Sequence, residues 1–450
     1  ALVALLAGSA VLMTQLARQH VSSRYRHVLA VGLAALAVAI ALGIAVSPRS
    51  TIERFVEFVG NPILAAGSRL LTWDAALRLA TDCAPWGCGA GLFWLLFRGY
   101  QMPTDASAGF HAHLDPLEIL VELGWPGLAL LVALTAAVVM RTREAWRACA
   151  NDPASQARLA GCGAALAAFM THSLVTFNLY VAALVALAGL IMGGIGLAPP
   201  ERRVAHPMAR GSRFTAVALA AGIGAYLSAT AYGAHFYHQA VSAPDAPSIN
   251  ELRERLEHAR RFAPGADVVL VARADLELRV LESLFRVPGT PAAELSSQFD
   301  LASYFVDRTV RVNPLRPDGH EFRGRLELMD WRRPGPERVA AAIEAYAAAL
   351  ERSPGRPDVR EQLGQMMQSL GRHGAAAGLF ADGVAWAKTS SDELRFGIQA
   401  LRAYVEAGDH DAARALRETV VAAAERERRR GNDLGDVAGM ADALLDGMAP

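Results

Sequence analysis

Apolar residues are unevenly spread along this chain. In the first half they run together without charge for the ~20 residues that a helix needs to cross ~30 Å of hydrocarbon. Six such stretches occur, at about 1–17, 28–46, 117–140, 159–177, 180–199 and 214–233. Arg18, Arg24 and Arg26 follow the first stretch, Arg141, Arg143, Arg147 and Arg158 bracket the loop after the third, and Arg202, Arg203, Arg210 and Arg213 fill the loop after the fifth. Cytoplasmic loops carry the excess of Lys and Arg, so these three loops are predicted inside. Residues 47–116, the turn near Asn178 and everything after about 234 are then outside. The chain begins at Ala1 within an apolar run with no basic region before it, which reads as the C-terminal part of a longer membrane protein rather than as a signal peptide.

The long outer loop carries apolar and aromatic residues between turn signals at Asn61-Pro62, Pro85-Trp86-Gly87 and Gly89-Ala90-Gly91, so it is expected to fold against the membrane surface. Within it, Ser68 to Thr81 is predicted to be a helix with Leu70, Trp73, Leu77 and Ala80 on one face. After the last apolar stretch the pattern becomes paired amphipathic helices separated by a recurring turn. Asn313-Pro314-Leu315-Arg316-Pro317-Asp318 and Ser353-Pro354-Gly355-Arg356-Pro357-Asp358 are two copies, with an echo at Phe262-Ala263-Pro264-Gly265-Ala266-Asp267. The turn and its alanine-rich helices resemble tetratricopeptide repeats, although the spacing of ~40–50 residues is longer than theirs. Stacked helical pairs present a concave surface suited to a protein partner. The fold class is therefore all-α: a polytopic transmembrane helical bundle over residues 1–233, with the outer loop carrying the candidate site, and a periplasmic helical-repeat domain over 234–450.

Composition adds little beyond this pattern. Apolar residues make up 53% of the chain, more than the ~45–50% usual in soluble proteins. Forty-four basic residues balance 44 acidic ones, so net charge points to no nucleic-acid partner. Cys83 and Cys88 fall in the outer loop, where a disulfide could persist, whereas Cys149 and Cys162 fall at an inner loop and within a span.

Three groups of residues could carry chemistry. Arg69 lies in Ser68-Arg69-Leu70-Leu71-Thr72-Trp73-Asp74-Ala75-Ala76-Leu77, followed by Pro85-Trp86-Gly87-Cys88-Gly89-Ala90-Gly91-Leu92-Phe93. His111-Ala112-His113-Leu114-Asp115-Pro116-Leu117-Glu118 leads into Glu122-Leu123-Gly124 at the start of a span. Thr171-His172-Ser173 lies within a span and leads to Thr176-Phe177-Asn178. In this order and spacing, residues from about 68 to 198 resemble the O-antigen ligase and polymerase superfamily, which includes the pilin-type O-oligosaccharyltransferases. Leu114 stands where the family usually has Asn, and Thr176 and Asn178 stand where the pilin-type enzymes have Glu and Pro, so the subclass stays open.

The resemblance implies a metal-independent glycosyltransferase without a cofactor, in the bacterial inner membrane. Its donor would be an undecaprenyl-diphosphate-linked glycan, and its acceptor lipid A core, a growing glycan or a protein. The residue chemistry fits that reaction. Guanidinium binds phosphate oxygens in pairs, so Arg69, Arg78 and Arg98 are candidates for holding the diphosphate. Imidazole is largely neutral at working pH, so His113 is the candidate base, with His111 and His172 as accessory residues. Each has a plainer reading: the arginines as anchors to membrane lipids, His113 as a cap on the following helix, and His172 as a link to a neighbouring helix. His111 and His113 also resemble the His-x-His of metal-dependent amidohydrolases, but that motif closes a barrel strand and here an apolar helix follows. A non-catalytic envelope scaffold acting through the repeats is the alternative function. A transporter for lipid-linked glycans is a third, and it would need more polar residues in the spans.

Overall fold

The computed structural model describes residues 62–103, 105, 109–197, 210–242 and 248–430, together with positions 439, 441 and 443. The apolar stretches expected at 1–17 and 28–46, and Arg18, Arg24, Arg26, Arg202 and Arg203, lie outside the described residues. The regular secondary structure of the described residues is all helix. The chain divides into two units, residues 1–206 and 207–450.

In the first unit, helices α1 (Pro62–Asp82), α2 (Phe93–Tyr100) and the start of α3 (Asp115–Ala148) share one core. Ala75, Ala76, Leu79 and Ala80 of α1 meet Phe93 and Phe97 of α2 and Leu117 and Val121 of α3. This corrects the expected face of α1 in part, since Ala80 is buried and Trp73 packs against the same core. Leu70 and Leu77 are exposed, and the buried stripe is Thr72, Ala75, Ala76, Leu79 and Ala80. Leu79 fills that face together with three alanines, packing against Phe93 and Phe97 of α2 and Leu117 and Val121 of α3. Helix α4 (Pro153–Ser173) starts where Asp152 accepts from the amides of Ala154 and Ser155, with Pro153 at the first helical position. A short 3₁₀ turn (Asn178–Tyr180) leads into α5 (Ala182–Leu197), and Leu159, Leu166, Ala188 and Ile195 pack α4 and α5 against Ala145 and Cys149.

Among the described residues one helix, α3 with its 34 residues, is long and apolar enough to cross a membrane, and α5 is a shorter apolar helix. Helix α3 is not continuous. Gly124 has φ 64° and ψ −161°, a conformation essentially reserved for glycine. The residue two positions on explains why a break is tolerated: Pro126 has no N–H, so the carbonyl of Glu122 would be orphaned even in a regular helix. A turn supplies the missing partners. Cys88 and Gly89 donate their amides to the carbonyls of Val121 (2.8 Å) and Glu122 (2.9 Å), and Trp125 donates to the carbonyl of Pro85 (3.0 Å). That turn is closed by a Cys83–Cys88 disulfide, Cα–Cα 5.0 Å, the pairing the sequence left open.

The second unit opens with α6 (Arg210–Val241), which packs on α7 (Ile249–Phe262) where Gly233 approaches Ala259 and Ala263 and the ring of Tyr232 meets Phe262. There follow α8 (Asp267–Arg286), α9 (Ala292–Val312), α10 (Pro317–Leu328), α11 (Gly335–Arg352), α12 (Pro357–Ser369), α13 (His373–Trp386), α14 (Ser390–Ala407) and α15 (His410–Arg429). Pro317 and Pro357 each open a helix, and seven residues later Gly324 and Gly364 take the rings of Tyr346 and Phe380 against their backbone. The recurring turns are themselves linked. Arg316 bonds Asp267 (3.0 Å) and Asp318 (2.8 Å), and Arg356 bonds Asp318 (3.0 Å) and Glu321 (2.6 Å). Each arginine thus ties its own turn to the preceding one.

Candidate functional site

The N-terminal end of α3 places three acidic residues, Asp115, Glu118 and Glu122, on one face at i, i+3 and i+7, and all three are buried. A buried carboxylate must find donors. Glu122 accepts from the amide of Phe93 (3.2 Å), the first residue of α2, and from the hydroxyl of Tyr180 (2.9 Å). Asp115 accepts from the amide of Leu179 (3.1 Å). Glu118 binds the loop before α3: one oxygen is 2.8 Å from His111 Nδ1 and the other accepts from the amide of Ala112 (2.9 Å). An ionised carboxylate only accepts, so Nδ1 of His111 carries the proton in that contact.

The turn at 174–178 gathers the predicted residues. His111 stacks on Phe177 with ring centroids 4.2 Å apart, and His113 meets the same ring edge-on at 5.3 Å. Arg69, on the exposed side of α1, donates to the carbonyl of Val175 (3.3 Å). His172 holds Asn178 Oδ1 at 3.0 Å, while Asn178 donates to the carbonyl of Phe169 (3.1 Å). His172 therefore spends Nδ1 on its own turn.

His113 has φ 54°, the left-handed region that residues with a side chain rarely enter. Burial holds its imidazole below the ordinary 6.5, and the charges of Arg69 and His111 push in the same direction. The ring is therefore neutral at neutral pH, the form that can accept a proton.

Arg78 and Arg98 are engaged elsewhere on α1 and α2. Arg78 lies 3.4 Å from both Asp74 and the carbonyl of Tyr100, and the Arg98 guanidinium lies over the rings of Trp94 and Phe110. Among the described residues no group of three or more His, Cys, Asp or Glu side chains is arranged to hold a metal ion.

Sequence reasoning gave roles to Arg69, His111, His113 and His172; it gave none to Asp115, Glu118, Glu122 and Phe177, which stand in the same motifs, and it passed over Tyr180. A signal was present. Three acids at helical spacing where an apolar helix begins are as costly to bury as the histidine that did attract notice.

Residues 1–132 match the family model described as O-antigen ligase, a stretch that includes Arg69, His111, His113, Glu118 and Glu122. The match supports a glycosyltransferase-type ligase role in general terms. No curated protein matches the chain. Among solved structures, one titled "Crystal structure of MamA protein" aligns over 47% of this chain and 98% of its own, at 13% identity and a TM-score of 0.32. A likeness that low carries no argument.

Proposed function

We propose that this chain is a polytopic inner-membrane glycosyltransferase that moves a glycan from undecaprenyl diphosphate to a hydroxyl acceptor on the periplasmic face, without a metal. The observation that carries the proposal is the convergence of Arg69, His111 and His113 on the turn around Phe177, with an acid-lined helix end behind it. Arg69 has one N–H on the Val175 carbonyl, and its guanidinium has further N–H groups for phosphate oxygens. In the reaction the bond between the sugar's anomeric carbon and the diphosphate oxygen breaks, and the acceptor oxygen takes its place on that carbon. The acceptor's proton goes to His113, and the electron pair leaves with the diphosphate, whose charge Arg69 offsets.

A membrane setting is supported by α3, whose most apolar window is 11% buried, whereas the core helix of a soluble protein buries most of that surface. The second unit, a tetratricopeptide-like array in this reading, would hold a protein partner or guide the acceptor on the periplasmic side. The test is glycan transfer by the full chain in reconstituted membranes supplied with polyprenyl-diphosphate-linked donor. His113→Ala is expected to lower turnover by ~10²–10⁴-fold, the usual worth of a positioned base, and Arg69→Ala to weaken donor use. Wild-type turnover in both variants would remove the site assignment. Absence of transfer to lipid, glycan and protein acceptors alike would leave the scaffold reading, which the linked turns of the second unit favour.

A further inference from the structure

We propose that Glu118 is a positioning residue of this site: its buried carboxylate clamps the segment 111–113, through the amide of Ala112 and the ring of His111, in the conformation that sets His113 against Phe177. The inference deepens the reading of His113 as the base, and part of its test is independent of that reading.

A left-handed backbone is strained for a residue with a side chain, so it persists where its surroundings over-determine it. Here they do so from both sides. Ala112, which precedes His113 and is fully buried, gives its N–H to Glu118 and accepts at its carbonyl from Trp73 Nε1 (2.8 Å). The N–H lies in the peptide plane before Ala112 and the carbonyl in the plane leading into His113, so Glu118 and Trp73 each fix one of the two planes that meet at Ala112. Glu118's other oxygen holds His111, whose ring lies flat on Phe177, the same ring that His113 meets edge-on. Glu118 thus fixes the peptide plane before Ala112 and, through His111, the wall that the His113 ring rests on. Glu118 is itself 1% exposed and both of its oxygens are used within the loop, so it contacts the reaction only through these neighbours.

The experiment compares wild type, Glu118→Ala and Glu118→Gln in the full chain reconstituted in membranes. Glutamine keeps both contacts, since its carbonyl oxygen accepts from Ala112 and its amide donates to His111 Nδ1 in the other tautomer. Two quantities are read: kcat and KM for polyprenyl-diphosphate-linked donor, and the rate at which diethyl pyrocarbonate modifies His113, followed by peptide mass spectrometry. Glu118→Ala is expected to lower kcat on the order of 100-fold with little change in KM, the effect of a misplaced catalytic group. It should also speed modification of His113 several-fold. Glu118→Gln should restore both. Wild-type kcat and modification rate in Glu118→Ala overturn the proposal. So does a Glu118→Gln variant that stays inactive with His113 modified at the wild-type rate, because charge rather than position would then be what matters. If wild type transfers no glycan the proposed function fails, yet the modification rates still decide the positioning role. Should Glu118→Ala not insert, Glu118→Asp, whose carboxylate is one methylene too short to hold both contacts, takes its place. It is expected to speed modification of His113, and an unchanged rate there overturns the proposal.

Discussion

Glu118 of the first unit and Glu277 of the second are both sealed from solvent, yet they are satisfied by different chemistry. Glu277 is surrounded by cations. Arg253 binds both of its oxygens (2.9 and 2.5 Å), Arg273 adds a third contact (2.7 Å) and Gln298 a fourth (2.9 Å). Glu118, Glu122 and Asp115 instead receive backbone amides, one imidazole and one phenol. Arginine makes a buried acid into a staple between helices, which is how the recurring turns are also joined. Apart from the imidazole these donors are neutral, so Asp115 and Glu122 are held by amides and a phenol where Glu277 is held by guanidinium. The second unit spends its buried charge on architecture, while the first concentrates it where His111 and His113 meet.

The contrast can be broken most severely at Gly124. A β-carbon there would lie 2.1 Å from the Pro85 carbonyl oxygen and 2.5 Å from the Trp86 carbonyl carbon, on a backbone that only glycine adopts. Gly124→Ala is therefore expected to cost more than ~4 kcal/mol and to separate the 83–89 turn from α3. Limited proteolysis of the outer loop, together with loss of transfer, would register it, and the second unit should melt unchanged. An intact outer loop in this variant would mean that the break in α3 is not held by the turn.

Glu277→Ala tests the other side of the comparison. It leaves Arg253 and Arg273 without their shared partner, and removing one member of a buried ion pair costs ~3–5 kcal/mol. For a unit of this size, ~2–4 °C of melting temperature is lost per kcal/mol, so a drop on the order of 10 °C is expected by calorimetry. Transfer measured at low temperature should be kept. A shift of a degree or two would mean that the cluster is decorative.

Acid gives the smallest effect. Burial pushes the Glu277 carboxyl up, but the bonds from Arg253 and Gln298 and the charges of Arg273 and Arg253 outweigh it, leaving it below the ordinary 4.5. Asp318 likewise falls below 3.8, because Arg356 and Arg316 outweigh burial. In both, the folded state binds fewer protons than the unfolded chain at acid pH. The stability they contribute is present above the unfolded values and is lost as pH falls through the folded ones. Chemical denaturation at pH 7 and pH 4 should show the second unit weakened by ~1 kcal/mol at the lower pH. Glu321, pushed up by burial, works in the opposite direction and keeps the change small.

Much of the second unit was legible because its signals are local. Pro317, Asp318, Pro357 and Asp358 announce helix starts wherever they stand, since proline and an acid suit the first turn. The Arg-bearing turns recur visibly too, but that Arg316 and Arg356 reach back to Asp267 and Asp318 needs the stacking of the repeats to be seen. In the first unit the residue types Arg69, His111, His113 and His172 stood out by chemistry. Their common neighbour Phe177 did not, because an aromatic residue in an apolar run carries no mark of its role. The inward face of α1 was misjudged at Leu70 and Leu77, because helical spacing shows which residues share a stripe but not which of two neighbouring stripes packs on α2 and α3.

By itself the sequence determined that the fold is helical, that helices open after the recurring turns, and which side chains could bind phosphate or take a proton. All of these depend on neighbours within a turn or two along the chain. Tertiary structure alone decided that α3 breaks at Gly124, that the 83–89 turn fills the break, and that Glu118 holds His111 and Ala112. Those outcomes turn on contacts between segments brought together by packing, where an unsatisfied amide, carbonyl or carboxylate has to find its partner in whatever lies beside it.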